Sequence, residues 1–148
     1  MAITHATVVA TADDGTSEVG TNEWNADHVG FDSAFCVEFS SEGTAAVVTG
    51  TSRWYNDTGV TLSFVSVRAS VGTAPTGASL KVDVNKNGTT IYTTQNSRPE
   101  IAVSTFTDEG ANPDVAQIAD GSYLTVDIDQ IGSTVAGANV VVQVWMSP

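Results

Sequence analysis

Short runs in which apolar and polar residues alternate are the strongest pattern in the second part of this chain. In AFCVEFS (34–40), Phe35, Val37 and Phe39 fall on one side of an extended backbone. That period of two is typical of a half-buried β-strand. TAAVVTG and SRWYN follow, and no helical period of 3.6 residues extends far in the chain. The pattern therefore predicts strands rather than helices.

The run ASLKVDVNKNGTTIYTT (78–94) predicts a β-hairpin. Its two arms are joined by Asn87-Gly88, a residue pair that favours the type I′ turn. The residues expected to face the core are Leu80, Val82 and Val84, and those expected to face solvent are Lys81, Asp83 and Asn85.

Residues 60–71 (VTLSFVSVRASV) alternate as well, but both faces are partly apolar. One face carries Leu62 and Phe64, and the other carries Val65, Val67, Ala69 and Val71. This arrangement predicts a strand that is covered on both sides. Because an apolar face is costly in water, packing against another subunit could provide the second cover.

A later run, 115–132, predicts a turn at Asp120-Gly121 followed by another amphipathic strand, and GANVVVQVWM (137–146) predicts the last one. In the amphipathic strand, Leu124, Val126 and Ile128 are expected inside, and Thr125, Asp127 and Asp129 outside. About eight short strands separated by turn signals are typical of a β-sandwich. We therefore predict an all-β fold, a single antiparallel, jelly-roll-like β-sandwich over residues 31–148.

Residues 1–30 are weakly patterned, turn-rich and acidic, and we interpret them as an extended N-terminal docking arm. Trp24 is its largest apolar group and His28 can hydrogen-bond where the arm meets the sandwich. Asn25 and Asp27 can turn the chain through bonds from side chain to backbone. The alternative is that Trp24 packs on its own sandwich and only closes the core.

Composition supports the all-β interpretation and limits the possible partners. The 148 residues are rich in β-branched Val and Thr, and include only three leucines. The net charge is −12, with 17 acidic against 5 basic residues. Because nucleic acids and anionic membranes require a basic surface, we expect neither as a partner.

The single cysteine, Cys36, excludes a disulfide within the chain, and its apolar surroundings predict a small buried side chain. The first residues, MAITHATVV, lack the basic start and long apolar core of a secretory signal. We therefore expect synthesis in a cytoplasm.

The chain offers few candidates for catalysis. His5 and His28 both fall in the predicted arm, whereas Cys36 falls in a core-like run. Neither a zinc-binding spacing nor a phosphate-binding loop occurs in the sequence. We expect no catalytic residues, no enzymatic activity and no cofactor.

Two groups of acidic residues could still bind a ligand. Asp127 and Asp129 share a strand face, and Asp83 could lie on a neighbouring strand. Such carboxylates can hydrolyse glycosides or bind calcium, but we favour a solvated acidic face. The predicted loop 108–114 offers weak calcium candidates, which are Asp108, Glu109, Asn112 and Asp114. It lacks the ordered spacing of an EF-hand, so we expect no metal.

Aromatic residues are the remaining candidates. Trp54 and Tyr55 could form a platform on which a sugar stacks, whereas Trp145 is expected in the core or at a subunit interface. Asn56-Asp57-Thr58 matches the glycosylation triplet, but we interpret it as turn chemistry.

The segment Trp24-Asn25-Ala26-Asp27-His28, after its acidic leader, resembles the N-terminal regions of virion structural proteins of tailed bacteriophages. Residues 54–94 also look like the β-sandwich modules of phage tail-fibre and head-decoration proteins. Further features that carry the second resemblance are Pro75-Thr76-Gly77, Asn87-Gly88 and Arg98-Pro99.

The resemblance implies a phage virion structural protein. The chain shows none of the long or repetitive shaft that is usual in tail fibres, so the favoured interpretation is a capsid decoration (cement) protein. Such a protein binds the major capsid protein on the outer capsid surface and commonly forms homotrimers. The alternative is a tail-tip or tail-fibre module that recognises a glycan on the host surface.

Overall fold

A computed structural model describes residues 34–148 of the chain. These residues form two antiparallel β-sheets packed into a sandwich, which confirms the predicted all-β class. The predicted arm, with Trp24, Asn25, Asp27 and His28, lies outside the described residues, as do residues 31–33. No helix among the described residues is long and apolar enough to cross a membrane.

The described part of the chain contains ten strands. They are β1 (Phe35–Thr44), β2 (Trp54–Tyr55), β3 (Leu62–Thr73), β4 (Leu80–Lys86), β5 (Thr89–Thr90), β6 (Glu100–Ile101), β7 (Thr107–Glu109), β8 (Gln117–Ile118), β9 (Tyr123–Gln130) and β10 (Ala138–Ser147). A single 3₁₀ turn, Gln95–Ser97, is the one helical element within 34–148.

The first sheet has the order β1-β10-β3-β7, and β8 also pairs with β3. The second sheet has the order β2-β9-β4-β5, and β6 also pairs with β4. Between the sheets lies one apolar core, whose fully buried side chains include those of Leu62, Val67, Val82, Leu124 and Val144. The alternation of each strand directs these side chains inward, as the sequence predicts for β4 and β9.

The hairpin between β4 and β5 forms as predicted. Asn87 has φ of 51° and Gly88 has φ of 80°. Positive φ at both central residues is the requirement of the type I′ turn, which matches the right-handed twist of the two strands. The turn therefore fixes the register in which Lys86 pairs with Thr89.

The interpretation of β3 as a strand with two apolar faces is wrong, because β3 contains a bulge. Phe64 pairs with Met146 and Ser66 pairs with Trp145, so Val65 is an extra residue between them. One extra residue shifts the alternation by one position. Val65 is consequently 46% exposed, whereas Val67, Ala69 and Val71 join Leu62 in the core.

The bulge predicts that alanine substitution costs very different amounts of stability at two valines on the same strand. Val67→Ala is expected to lower the free energy of unfolding by about 1–3 kcal/mol, because it removes apolar atoms from the core. Val65→Ala is expected to change it by less than about 0.5 kcal/mol, since the side chain is already largely in water. Urea unfolding of both variants measures the difference. Equal losses of unfolding free energy would show that the alternation of β3 does not shift at Val65.

Cys36 is not buried in the core as predicted. It is half-buried, and it pairs across β1 and β10 with the exposed Trp145, whereas Phe35 and Val37 pack against the core. Strand alternation thus decides the side on which Cys36 lies, although its neighbours in the sequence are apolar. Partial burial, together with the negative charge of Glu38, raises the pKa of the Cys36 thiol.

Candidate functional site

Polar side chains cover the outer face of the second sheet. Asp83 on β4 lies opposite Asp127 on β9, and Asn85 lies opposite Thr125. This pairing confirms that Asp83 neighbours the β9 carboxylates. The expected solvation is wrong for three of these residues, because Asp83, Asn85 and Thr125 are only 6%, 9% and 7% exposed.

Asp83 is held by two polar neighbours that cover the sheet. The Thr90 hydroxyl donates a hydrogen bond of 2.8 Å to Asp83 Oδ1. The Arg98 guanidinium lies 3.9 Å from Asp83 Oδ2 and also pairs with Asp129. Burial raises the pKa of Asp83, although Thr90 and Arg98 oppose that change. Ionised Asp83 therefore costs the folded state some stability.

Asp83→Asn is expected to stabilise the protein at neutral pH. A carboxyl with a raised folded-state pKa favours folding most when protonated, so wild-type stability falls as the pH rises from the ordinary aspartate pKa through the folded-state pKa. The asparagine variant lacks that loss, while Arg98 keeps Asp129 as its partner. Its advantage at pH 7 should vanish in acid. Thermal unfolding across this pH range measures the effect.

Glu100→Gln provides a control of opposite sign. The Ser79 hydroxyl and the Lys81 ammonium lower the pKa of Glu100. Wild-type Glu100 therefore stabilises the fold above the ordinary glutamate pKa and loses that contribution as the pH falls. The glutamine variant should be less stable at neutral pH and equal in acid. If both variants were more stable than the wild type at neutral pH, the raised pKa of Asp83 would not explain the gain of Asp83→Asn.

Asp127 is fixed by the segment that precedes β2. Its Oδ1 accepts a hydrogen bond of 2.8 Å from the Gly50 N–H, and its Oδ2 accepts one of 2.9 Å from Asn85 Nδ2. The segment approaches β9 so closely that a Cβ at Gly50 would lie 1.8 Å from the Val126 carbonyl oxygen. Only glycine permits this approach, which holds Asp127 in one position.

A groove of about 330 Å³ opens beside Asp127 on the same outer face. The Arg53 guanidinium carbon lies 4.5 Å above the centre of the Tyr123 ring. The Tyr55 and Tyr123 ring centroids are 5.5 Å apart, and their planes are tilted by 51°. The side chains that line the groove include those of Thr49, Thr51, Arg53, Asn85, Tyr123 and Asp127. It thus combines an aromatic wall with a fixed carboxylate.

The predicted platform of Trp54 and Tyr55 does not form. Tyr55 is 44% exposed, beside Tyr123, whereas Trp54 packs against the core with its ring 6.2 Å from that of Phe35. Consecutive residues of a strand point to opposite faces, so they cannot share a platform. Arg53 and Tyr123 were not among the residues predicted from the sequence. The signal for Tyr123 was its alternation in phase with Thr125 and Asp127.

The weak calcium candidates are not brought together. Asp108 accepts a hydrogen bond from the Glu100 N–H, and Asp114 accepts one from the Thr94 N–H. Glu109 pairs with Arg68 on β3, because the predicted loop begins within strand β7. Asn112 is exposed. Across residues 34–148, no group of three or more acidic, histidine or cysteine side chains could hold a metal ion.

Trp145 lies on the outer face of the first sheet and is 37% exposed. Of the two places predicted for Trp145, the core is therefore wrong, and the subunit interface stays a prediction. It stands on β10, the strand between β1 and β3, and pairs with Ser66 beside the exposed Val65.

The two outer faces thus differ in chemistry. The first sheet presents a tryptophan, and the second presents a groove with Tyr123 and a fixed carboxylate. Comparisons with family models, with curated proteins and with solved structures found no match to this chain.

Proposed function

We propose that this protein is a virion structural protein of a tailed bacteriophage, a capsid decoration (cement) protein that binds the major capsid protein. The resemblance of the segment around Trp24 and His28 to phage virion proteins supports the class. The observation on the described domain that carries the proposal is the exposed Trp145 on the outer face of the first sheet.

An exposed tryptophan on a strand flanked by two others is well suited to an interface. Tryptophan buries up to about 250 Å² of surface when it docks, and it is enriched among the residues that dominate binding energy. The strands around Trp145 carry paired polar groups, Gln143 with Glu38 and Arg68 with Glu109. An apolar centre with a polar rim is the usual anatomy of a protein interface.

The proposal includes a homo-oligomer, with a trimer favoured by the resemblance. The apolar face of β3 that was predicted to pack against another subunit is not available for it, because Val67, Ala69 and Val71 lie in the core of their own chain. Val65 and Trp145 remain as exposed apolar residues near one another on the first sheet. Sedimentation of the full chain tests the oligomer, and monomer at micromolar concentration without assembly on capsids contradicts it.

The capsid proposal is tested by adding the full chain to capsids of its phage that lack it, and by locating it on the particle with cryo-EM. Trp145→Ala is expected to weaken capsid binding at least about tenfold, as for a central interface residue. Tyr55→Ala, an exposed aromatic on the other sheet, is the matched control and should bind normally. Density at the tail tip instead of the capsid would favour the receptor-binding alternative.

The docking arm is tested in the full chain by Trp24→Ala. If Trp24 docks on the capsid, the variant should lose capsid binding while its thermal unfolding stays that of the wild type. If it packs on its own sandwich, the variant should unfold at a lower temperature. Unchanged binding and unchanged unfolding would contradict any fixing role for Trp24.

A further inference from the structure

We propose that the groove between Tyr123 and Asp127, on the outer face of the second sheet, binds one pyranose ring of a neutral saccharide. This inference goes beyond the virion role and does not depend on where in the particle the protein resides. The outer faces of two packed sheets point in opposite directions, so the groove stays accessible when Trp145 on the first sheet is docked.

The aromatic wall supplies the apolar part of the site. Tyr123 lines the groove, Tyr55 is tilted against it at 5.5 Å, and Tyr55 is 44% exposed. The C–H groups on one face of a pyranose carry slight positive charge, and the face of an aromatic ring is negative. A sugar therefore gains both apolar contact and electrostatic attraction where a tyrosine ring is exposed, as that of Tyr55 is, whereas the Arg53 guanidinium covers one face of Tyr123.

The polar wall supplies fixed hydrogen-bonding groups for sugar hydroxyls. Asp127 uses one lone pair of each carboxylate oxygen for Gly50 and Asn85. An ionised carboxylate has about four acceptor sites, so two remain for a ligand. Thr49 and Thr51 also line the groove, and a threonine hydroxyl can both donate and accept. Because Asp127 is already held by two bonds, binding costs little ordering of its side chain.

The charges favour a neutral sugar over an acidic one. Asp127 lines the groove, and the whole chain carries a net charge of −12, so a carboxylated or phosphorylated sugar meets repulsion. Arg53 is the cation of the groove, and its guanidinium lies against the Tyr123 ring. It thus braces the aromatic wall, and the acidic comparator in the experiment below tests whether its charge attracts an anion.

The size of the groove limits the ligand to about one ring. At about 330 Å³ it lies at the lower end of the usual range for small-molecule sites. A hexose in such a site is expected to bind with a dissociation constant on the order of 1 mM, given ordinary ligand efficiency. Many copies on one particle would strengthen attachment to a polysaccharide through multivalency.

The experiment titrates the isotope-labelled full chain with the methyl glycosides of glucose, galactose and N-acetylglucosamine, and with glucuronic acid as the acidic comparator. NMR shifts are followed at Tyr55, Tyr123 and the Gly50 amide. At least one neutral glycoside is expected to give saturable shifts there, and glucuronic acid weaker ones. Tyr123→Ala should weaken binding at least tenfold, whereas the matched aromatic variant Trp145→Ala should bind normally.

Three outcomes overturn the proposal. The first is that no neutral glycoside gives saturable shifts at concentrations well above the expected dissociation constant. The second is that glucuronic acid binds more tightly than the neutral glycosides. The third is that Tyr123→Ala binds a neutral glycoside as well as the wild type does. A folded Tyr123→Ala variant is verified by its thermal unfolding, and Tyr123→Phe, which keeps the ring, should retain binding. The result is separable from the virion role, since Trp145→Ala tests capsid binding on the other sheet.

Discussion

Replacing Asn56 with alanine is expected to lower the free energy of unfolding by about 2–5 kcal/mol, since four hydrogen bonds are lost at once and one of them satisfies the buried carbonyl of Ile118. The Asn56 side chain is fully buried. Its Nδ2 donates to the carbonyl oxygens of Val60, at 2.9 Å, and Ile118, at 3.1 Å. Its Oδ1 accepts from the Thr58 N–H and hydroxyl. The side chain thus ties the loop after β2 to β8.

The effect of Asn56→Ala is measured by urea unfolding, with the exposed Asn96→Ala as control, which should cost less than about 0.5 kcal/mol. Asn56→Asp keeps the acceptor Oδ1 but replaces the donating Nδ2 with an oxygen that faces two carbonyl oxygens, so it should be at least as damaging as alanine. Similar stability of Asn56→Ala and Asn96→Ala would contradict the role. These contacts confirm that the triplet at Asn56 is turn chemistry.

Arg98→Met is expected to cost about 3 kcal/mol, because it leaves the buried carboxylate of Asp83 without its cation. Only 14% of the Arg98 side chain and 9% of the Asp83 side chain are exposed. Arg98 also pairs with Asp129 and donates from Nε to the Gln95 carbonyl at 2.8 Å. Its loss therefore leaves the carboxylates of Asp83 and Asp129 without this cation and the Gln95 carbonyl without this donor.

The matched control is Arg68→Met. Arg68 pairs with Glu109, but their side chains are 47% and 43% exposed, so the expected cost is at most about 1 kcal/mol. Guanidinium unfolding at neutral pH measures both variants, and in acid the Arg98→Met deficit should shrink as Asp83 becomes protonated. A deficit independent of pH would mean that Arg98 acts through packing and not through charge.

Local sequence determined the long strands, the hairpin and the inward sides of β4 and β9. These features follow from a period of two and from turn residues that are neighbours in the chain. Leu80, Val82 and Val84 face the core as predicted, and Asn87-Gly88 makes the turn. Alternation also places Asp83 and Asp127 on the outward faces of their strands, although the pairing of β4 with β9 is what brings them opposite each other.

Only the tertiary structure decided the features that depend on pairing between distant segments. The bulge at Val65 follows from the register of β3 with β10, which the alternation of β3 alone does not specify. The groove likewise brings Arg53 to Tyr123, because β2 pairs with β9 and Arg53 immediately precedes β2. Local sequence determines which side chains share a face of a strand. Which strands become neighbours, and which polar groups they bury, depends on the packing of the whole chain.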